Sequence, residues 1–439
     1  MTRQQLTLDT LTAFVAGGAV AIRGKAVLEP AGGPGDKVFP PTHSVDDRKP
    51  QPGARYAFER RILPGGEVAE CVLLDSVQSQ ANRMEEALQA LWAERRIALP
   101  VITVDFGAIA PEVGCVTSLT APHRVADALL RDSLHGETLF RASALGKSFV
   151  DASIRNAGPL FRACPTALVF GLWDSTGPKG GRGAKFARAL VSEIVGVGAV
   201  RGVKTSSRID PAAIMRDAAT IYVARERDAD GNLTWTTDVM AAEVLDPTKP
   251  PRSDADADRV RKWGSKDKAG KPASIVHGNI PPSIDDVAGG VTIDHAEQTL
   301  VLSLAALRRL SFGGGDAAVR TVLAALALLA ALAAEDRGHD LRSRCLLVPS
   351  ADGRGTLQLE AVVKDGSVVP LALTLQEAVD LYVAAVAALP PELSFVRWGS
   401  GEVLAPGVAL AELTPSPKLQ HLVIESRKLA AAGADAEGD

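Results

Sequence analysis

Apolar residues dominate the run at 19–28 (AVAIRGKAVL), which reads as a strand. Pro30 breaks it, and prolines through Pro52 keep the following loop out of regular structure. Residues 71–74 form a short apolar strand, after which Asp75 and Ser76 are expected to cap a helix over 77–96. Met84, Leu88, Leu91 and Trp92 make its apolar stripe. The pattern further predicts strands at 100–105, 167–172 and 197–206, and a helix at 186–195. Residues 225–290 are rich in Asp, Lys, Pro and Gly and predict an exposed insertion, with a hairpin around Asp230-Gly231. TVLAALALLAALAA (321–334) reads as a buried helix, too short to span a bilayer, capped by Asp316 and closed by Gly338. A hairpin across Asp365-Gly366 and a helix at 374–389 follow, and the tail after Leu429 is expected to be disordered.

The predicted fold class is therefore α+β. The expected organisation is a first region at 1–224 with an insertion near 30–61, the exposed insertion at 225–290, an α/β part at 291–429 that completes the fold, and a tail at 430–439. Composition is that of an ordinary soluble protein, and 4% aromatic residues argues against recognition dominated by base stacking. Cys71, Cys115, Cys164 and Cys345 lie far apart, with no C-x-x-C pair and no signal peptide. That pattern points to reduced thiols and a cytoplasmic protein.

Charge changes the picture. The chain carries a formal −4, yet residues 141–208 hold eleven Lys and Arg against three carboxylates, a net of +8. At the centre stands GPKGGRGAK (177–185), where Gly180, Gly181 and Gly183 allow close backbone approach and Lys179, Arg182 and Lys185 supply charge. Ordinary surfaces intersperse both signs, so this imbalance points to a polyanion, most simply RNA or DNA. Gln78, Gln80, Asn82 and Arg83 crowd the opening turns of the 77–96 helix, where free N–H groups and the dipole favour anions. Arg201 to Pro211 (RGVKTSSRIDP) is a cationic strand leaving into a hydroxyl-rich turn.

Enzyme-like motifs fail on spacing. Gly146-Lys147-Ser148 resembles the end of a phosphate-binding loop, but position 141, which must be Gly, is Arg. Gly196, Gly198 and Gly202 miss the dinucleotide fingerprint by one residue. The seven histidines are scattered, and no G-x-S-x-G elbow occurs. No catalytic residue, metal or cofactor is implied.

The RGVKTSSRIDP run is similar to a strand of the RAMP-superfamily backbone subunits of type I CRISPR effector complexes. VFPPTH (38–43), LLDSVQSQANRMEEAL (73–88) and FGLWDSTGPKGGRGAKFARALVSEIVG (170–196) resemble the type I-G branch, formerly I-U. The resemblance covers roughly 19–214. It implies a modified ferredoxin-like (RRM-type) palm with thumb- or finger-like insertions, one of them at 30–61. It also implies a non-catalytic subunit that binds guide crRNA by its sugar-phosphate backbone, polymerises head to tail along it and presents it to target DNA beside other Cascade subunits. Sequence is then read by base pairing, so the protein needs grip rather than a base code. Arg23, Lys25, Gln78, Gln80, Asn82, Arg83, Lys179, Gly180, Gly181, Arg182, Gly183, Lys185, Lys204, Ser206, Ser207 and Arg208 are the expected RNA-binding residues. Two rivals remain open: an endoribonuclease, since type III relatives cut RNA with a loop carboxylate and Asp36, Asp46 and Asp47 sit in a loop here, and a structural homopolymer without nucleic acid.

Overall fold

The computed structural model describes residues 3–44, 51–174, 184–228, 231–265, 268–351 and 353–433. They divide into two compact units. One comprises residues 1–202 with 287–419, the other 203–286 with 420–439.

The first unit is built on a large sheet. Its strands include β1 (Ala19–Pro30), β2 (Phe58–Ile62) and β3 (Val68–Asp75), and the helix α1 (Val77–Ala93) follows β3. A smaller sheet contains β4 (Ile102–Asp105). Helix α2 (Thr166–Phe170) leads into a two-stranded hairpin, β5 (Leu172–Trp173) and β6 (Lys185–Phe186). The large sheet resumes with β7 (Leu190–Val197). In the second unit β8 (Lys204–Arg208) pairs with β9 (Ile280–Asp285). The chain then returns through β10 (His295–Ser303), α3 (Asp316–Asp336), β11 (Gln358–Val363), β12 (Val368–Ala372) and α4 (Leu375–Ala387).

The path across the large sheet from β12 runs β12-β11-β1-β10-β7-β3-β2, with every neighbouring pair antiparallel. Alternation divides its faces. Ile22, Gly24, Ala26 and Leu28 of β1 are buried while Arg23 and Lys25 are exposed, and on β10 Ala296, Gln298, Leu300 and Leu302 are buried. Helix α3 packs against α1 and α4, with Val322 through Ala330 inaccessible to solvent. At 21 residues it is long and apolar enough to cross a membrane, which corrects the expectation from its 14-residue apolar centre. Most of it is nevertheless buried inside the protein, as a core helix is.

Several boundaries move for identifiable reasons. Ser76 alone caps α1, its hydroxyl accepting from Ser79 N at 3.2 Å, while Asp75 faces inward. Gly315 rather than Asp316 is the cap of α3; Asp316 instead accepts from Phe312 N and holds Arg320 at 2.7 Å. The expected strand at 167–172 is helix α2, because a short run buried all round carries no period. Gly171, at φ 87°, ends it. The expected helix at 186–195 is strand β7, where Leu190, Ser192 and Ile194 turn inward between β10 and β3. The strand expected at 197–206 is interrupted: Gly198 takes a positive φ, and only Val200–Arg201 and β8 are extended. The second unit begins at Val203 rather than Arg225, since β8 pairs with β9; Tyr222–Arg227 and Leu233–Thr236 form the hairpin expected within it. The chain beyond Leu429 is helical through Gly433.

Candidate nucleic-acid interface

The residues expected to bind RNA fall into groups of different character. Arg23 and Lys25 stand on the open face of the large sheet, and both are ion-paired. Arg23 meets Glu360 directly across the β1–β11 pair, and Lys25 reaches Glu297 at 3.1 Å. Arg61 on the same sheet holds Glu193 at 2.8 Å and also Glu59. Exposed pairs of this kind stabilise the fold little, but they leave the face close to neutral.

The start of α1 separates into two sides. Gln78 and Asn82 are exposed. Gln80 is only 5% exposed and its amide is fully engaged. Its nitrogen donates to Asp75 Oδ2 at 2.7 Å, and its oxygen accepts from Ser192 Oγ at 2.9 Å. Arg83 donates to the same Asp75 carboxylate at 3.0 Å and to the carbonyls of Asp340 and Leu341. Gln80 therefore belongs to the core, a correction to its expected place at a surface. Period alone could not reveal this, because an amide inside the apolar stripe reads as polar until its partners on β3 and β7 are known.

In the second unit Lys204 pairs with Asp285 at 3.1 Å, and Ser206 and Ser283 share a 2.9 Å hydroxyl contact. Arg208 donates twice to the carbonyl of Gly278, while Ser207 is exposed. Only Ser207 of this group is without a bond to the facing strand or turn.

The stem of the glycine-rich segment is different. Lys179, Gly180, Gly181, Arg182 and Gly183 lie outside the described residues, as do Asp46 and Asp47, but the residues on either side are well placed. Trp173 and Lys185 face each other across β5 and β6, with the ammonium 5.5 Å from the indole centre. Asp174 N donates to Ala184 O at 3.0 Å, and Arg141 holds the buried Asp174 carboxylate at 2.7 Å. Below the stem, Arg124 makes two bonds to the buried Glu85 at 2.6 and 2.7 Å and donates to Gly171 O at 3.1 Å. Burial pushes the Glu85 carboxyl up to about 7, with the Arg124 guanidinium pulling the other way. An internal ion pair thus ties α1 to the residue at which the hairpin departs.

In the 141–208 stretch that includes this stem, part of the charge is unspent. Lys147, Arg155, Lys185 and Arg188 are exposed, and among the described residues no carboxylate pairs with any of them. Arg162, also exposed, donates to the Glu392 carbonyl and has no carboxylate partner among the described residues. Four of these five were not singled out from sequence, although the charge count contained them; nothing short of the ion-pair map separates a free cation from a paired one. Among the described residues no group of three or more His, Cys, Asp or Glu side chains could hold a metal ion.

Residues 22–201 match the family model described as CRISPR-associated protein GSU0053. In this stretch the chain is similar to a CRISPR-associated family, which supports a role in CRISPR defence. The matched stretch contains the 38–43, 73–88 and 170–196 motifs and stops before Lys204. No curated protein matches the chain.

Proposed function

We propose that the protein is a non-catalytic backbone subunit of a type I-G CRISPR effector complex. It grips the sugar-phosphate backbone of the guide crRNA, adds further copies of itself head to tail, and with the other Cascade subunits presents the guide to target DNA in the cytoplasm. The match over 22–201 supports the CRISPR setting. The palm of such subunits is ferredoxin-like, of RRM type. The antiparallel order β11-β1-β10-β7, with α1 between β1 and β7 in the chain and α3 between β10 and β11, supports that reading.

The observation that carries the proposal is a contrast within the first unit. Arg23, Lys25 and Arg61 on the sheet face are neutralised by carboxylates, whereas Lys147, Arg155, Lys185 and Arg188 have none among the described residues. Cations left unpaired in a chain of net negative charge are the economical way to hold phosphate, since no existing pair has to be broken first. The grip accordingly centres on the stem of the glycine-rich segment, with Gln78 and Asn82 as polar contacts. Among the described residues, the solvent-facing positions of β1, β7, β10 and β11, the face that ordinary RRM domains use, hold no Phe, Tyr or Trp.

Charge removal tests it. In the full-length protein, Lys147→Gln, Arg155→Gln and Arg188→Gln together should weaken guide binding strongly at low salt and little at high salt. The paired control, Arg23→Gln with Lys25→Gln, should change it far less. Equal losses from both sets would refute the assignment. Magnesium-dependent cutting of target RNA that disappears with Asp36→Ala, Asp46→Ala and Asp47→Ala would instead favour a nuclease.

A further inference from the structure

A tryptophan left in water needs a reason, because burying its ring is worth several kcal/mol of transfer free energy at about 25 cal/mol per Å². Trp173 is 61% exposed, more than any other tryptophan whose exposure is resolved as large, Trp235 at 49% and Trp398 at 40%. Its setting is well defined. In the β5–β6 hairpin the register pairs Phe186 with Leu172 and Lys185 with Trp173. Leu172 and Phe186 are buried and anchor the hairpin, which forces Trp173 and Lys185 together onto the outer side. The next exposed side chains after the returning strand are Ala187 and Arg188. Arg141 is locked onto Asp174 at the next position along. The indole thus stands on the last strand described before the GPKGGRGAK run in sequence, beside a cation that has no carboxylate partner among the described residues.

We infer that Trp173 is a stacking platform for one base of single-stranded nucleic acid, with Lys185 beside it on the adjoining phosphate. The inference rests on the proposed function and deepens it. A flat π-face of this size takes any base, so stacking adds affinity without reading sequence, which a guide-binding subunit requires. Lys185 lies within cation–π distance of the ring and the indole stays largely exposed, so the ammonium can hold phosphate beside a stacked base. A protein-docking tryptophan would sit among other apolar side chains. Here the outward neighbours on the hairpin and just after it are Lys185, Ala187 and Arg188.

The test uses the full chain and a fluorescein-labelled 30-nucleotide oligouridylate, titrated at several salt concentrations. Trp173→Leu should weaken binding about tenfold, the order expected of one stacked base, while leaving the salt slope unchanged. Trp173→Phe should retain most of the affinity. Lys185→Gln should lower the slope by roughly 0.7, the share of one phosphate on a single strand. Unlabelled oligouridylate should quench part of the intrinsic tryptophan fluorescence, and that part should be missing in Trp173→Phe, a readout that remains even if the leucine variant folds poorly. If wild type binds with a steep salt slope but Trp173→Leu binds within twofold of it, or the quench survives in Trp173→Phe, the platform is refuted while the guide-binding reading stands. A protein-docking role for Trp173 would give that same pair of results. Wild type that does not bind at all would overturn the guide-binding reading itself.

Discussion

At the scale of single residues, polar side chains that look alike in sequence do opposite work. Gln78, Gln80 and Asn82 all read as polar positions at a helix start, yet only Gln80 is buried and doubly bonded. Replacing Gln80 with Ala strands Ser192 and removes one donor from the buried Asp75, which keeps Arg83, and should cost about 1–3 kcal/mol, while Gln78→Ala and Asn82→Ala should leave the thermal midpoint unchanged. Equal midpoints for all three would contradict the network described. Glu85 gives a pH signature. Its carboxyl is raised from 4.5 to about 7, so the folded state binds more protons than the unfolded state between those values. Its contribution is full below about pH 4.5 and is lost as pH rises through about 7. Wild type should therefore lose stability relative to Glu85→Gln across that window, by at most about 3 kcal/mol. A difference that stays constant with pH would show that the carboxyl does not titrate there.

At the scale of elements, long periodic segments were legible and short apolar ones were not. The strand at 19–28, the helices beginning after Ser76 and Thr374, and the turn at Asp365-Gly366 follow from apolar patterning, capping and glycine chemistry. Thr374 and Glu377 even complete the capping box. Residues 167–195 misled because burial on all sides erases the period of α2, and because the inward positions of β7 include Ser192, a polar residue whose partner Gln80 lies far off in sequence. The hairpin between them depends on Gly171. A methyl group there would lie 3.0 Å from Arg188 Cγ and 3.2 Å from Phe186 O, and the backbone already sits at φ 87°. Gly171→Ala should cost about 1–3 kcal/mol in stability and weaken guide binding by displacing the stem. Unaltered midpoint and affinity together would separate the stem from the site.

At the scale of the whole molecule, charge placement was only half visible. The +8 of residues 141–208 could be counted, and the family resemblance pointed to the same stretch. Which cations are already neutralised could not be counted, because partners such as Glu360 and Glu297 are hundreds of residues away. A subunit that tracks a long guide must bind its neighbours heterologously, since a two-fold contact closes on itself. Electron microscopy on guides of increasing length should therefore show particles that lengthen with the RNA; closed two-fold dimers at every length would contradict this. The most direct test of the central claim is the salt dependence of single-stranded RNA affinity, compared between wild type and the triple variant Lys179→Ala, Arg182→Ala, Lys185→Ala. Wild-type affinity should fall steeply with salt, and the variant should lose about two units of logarithmic slope, roughly 0.7 for each phosphate released, with its fold intact. A variant with wild-type affinity and wild-type slope would contradict the account.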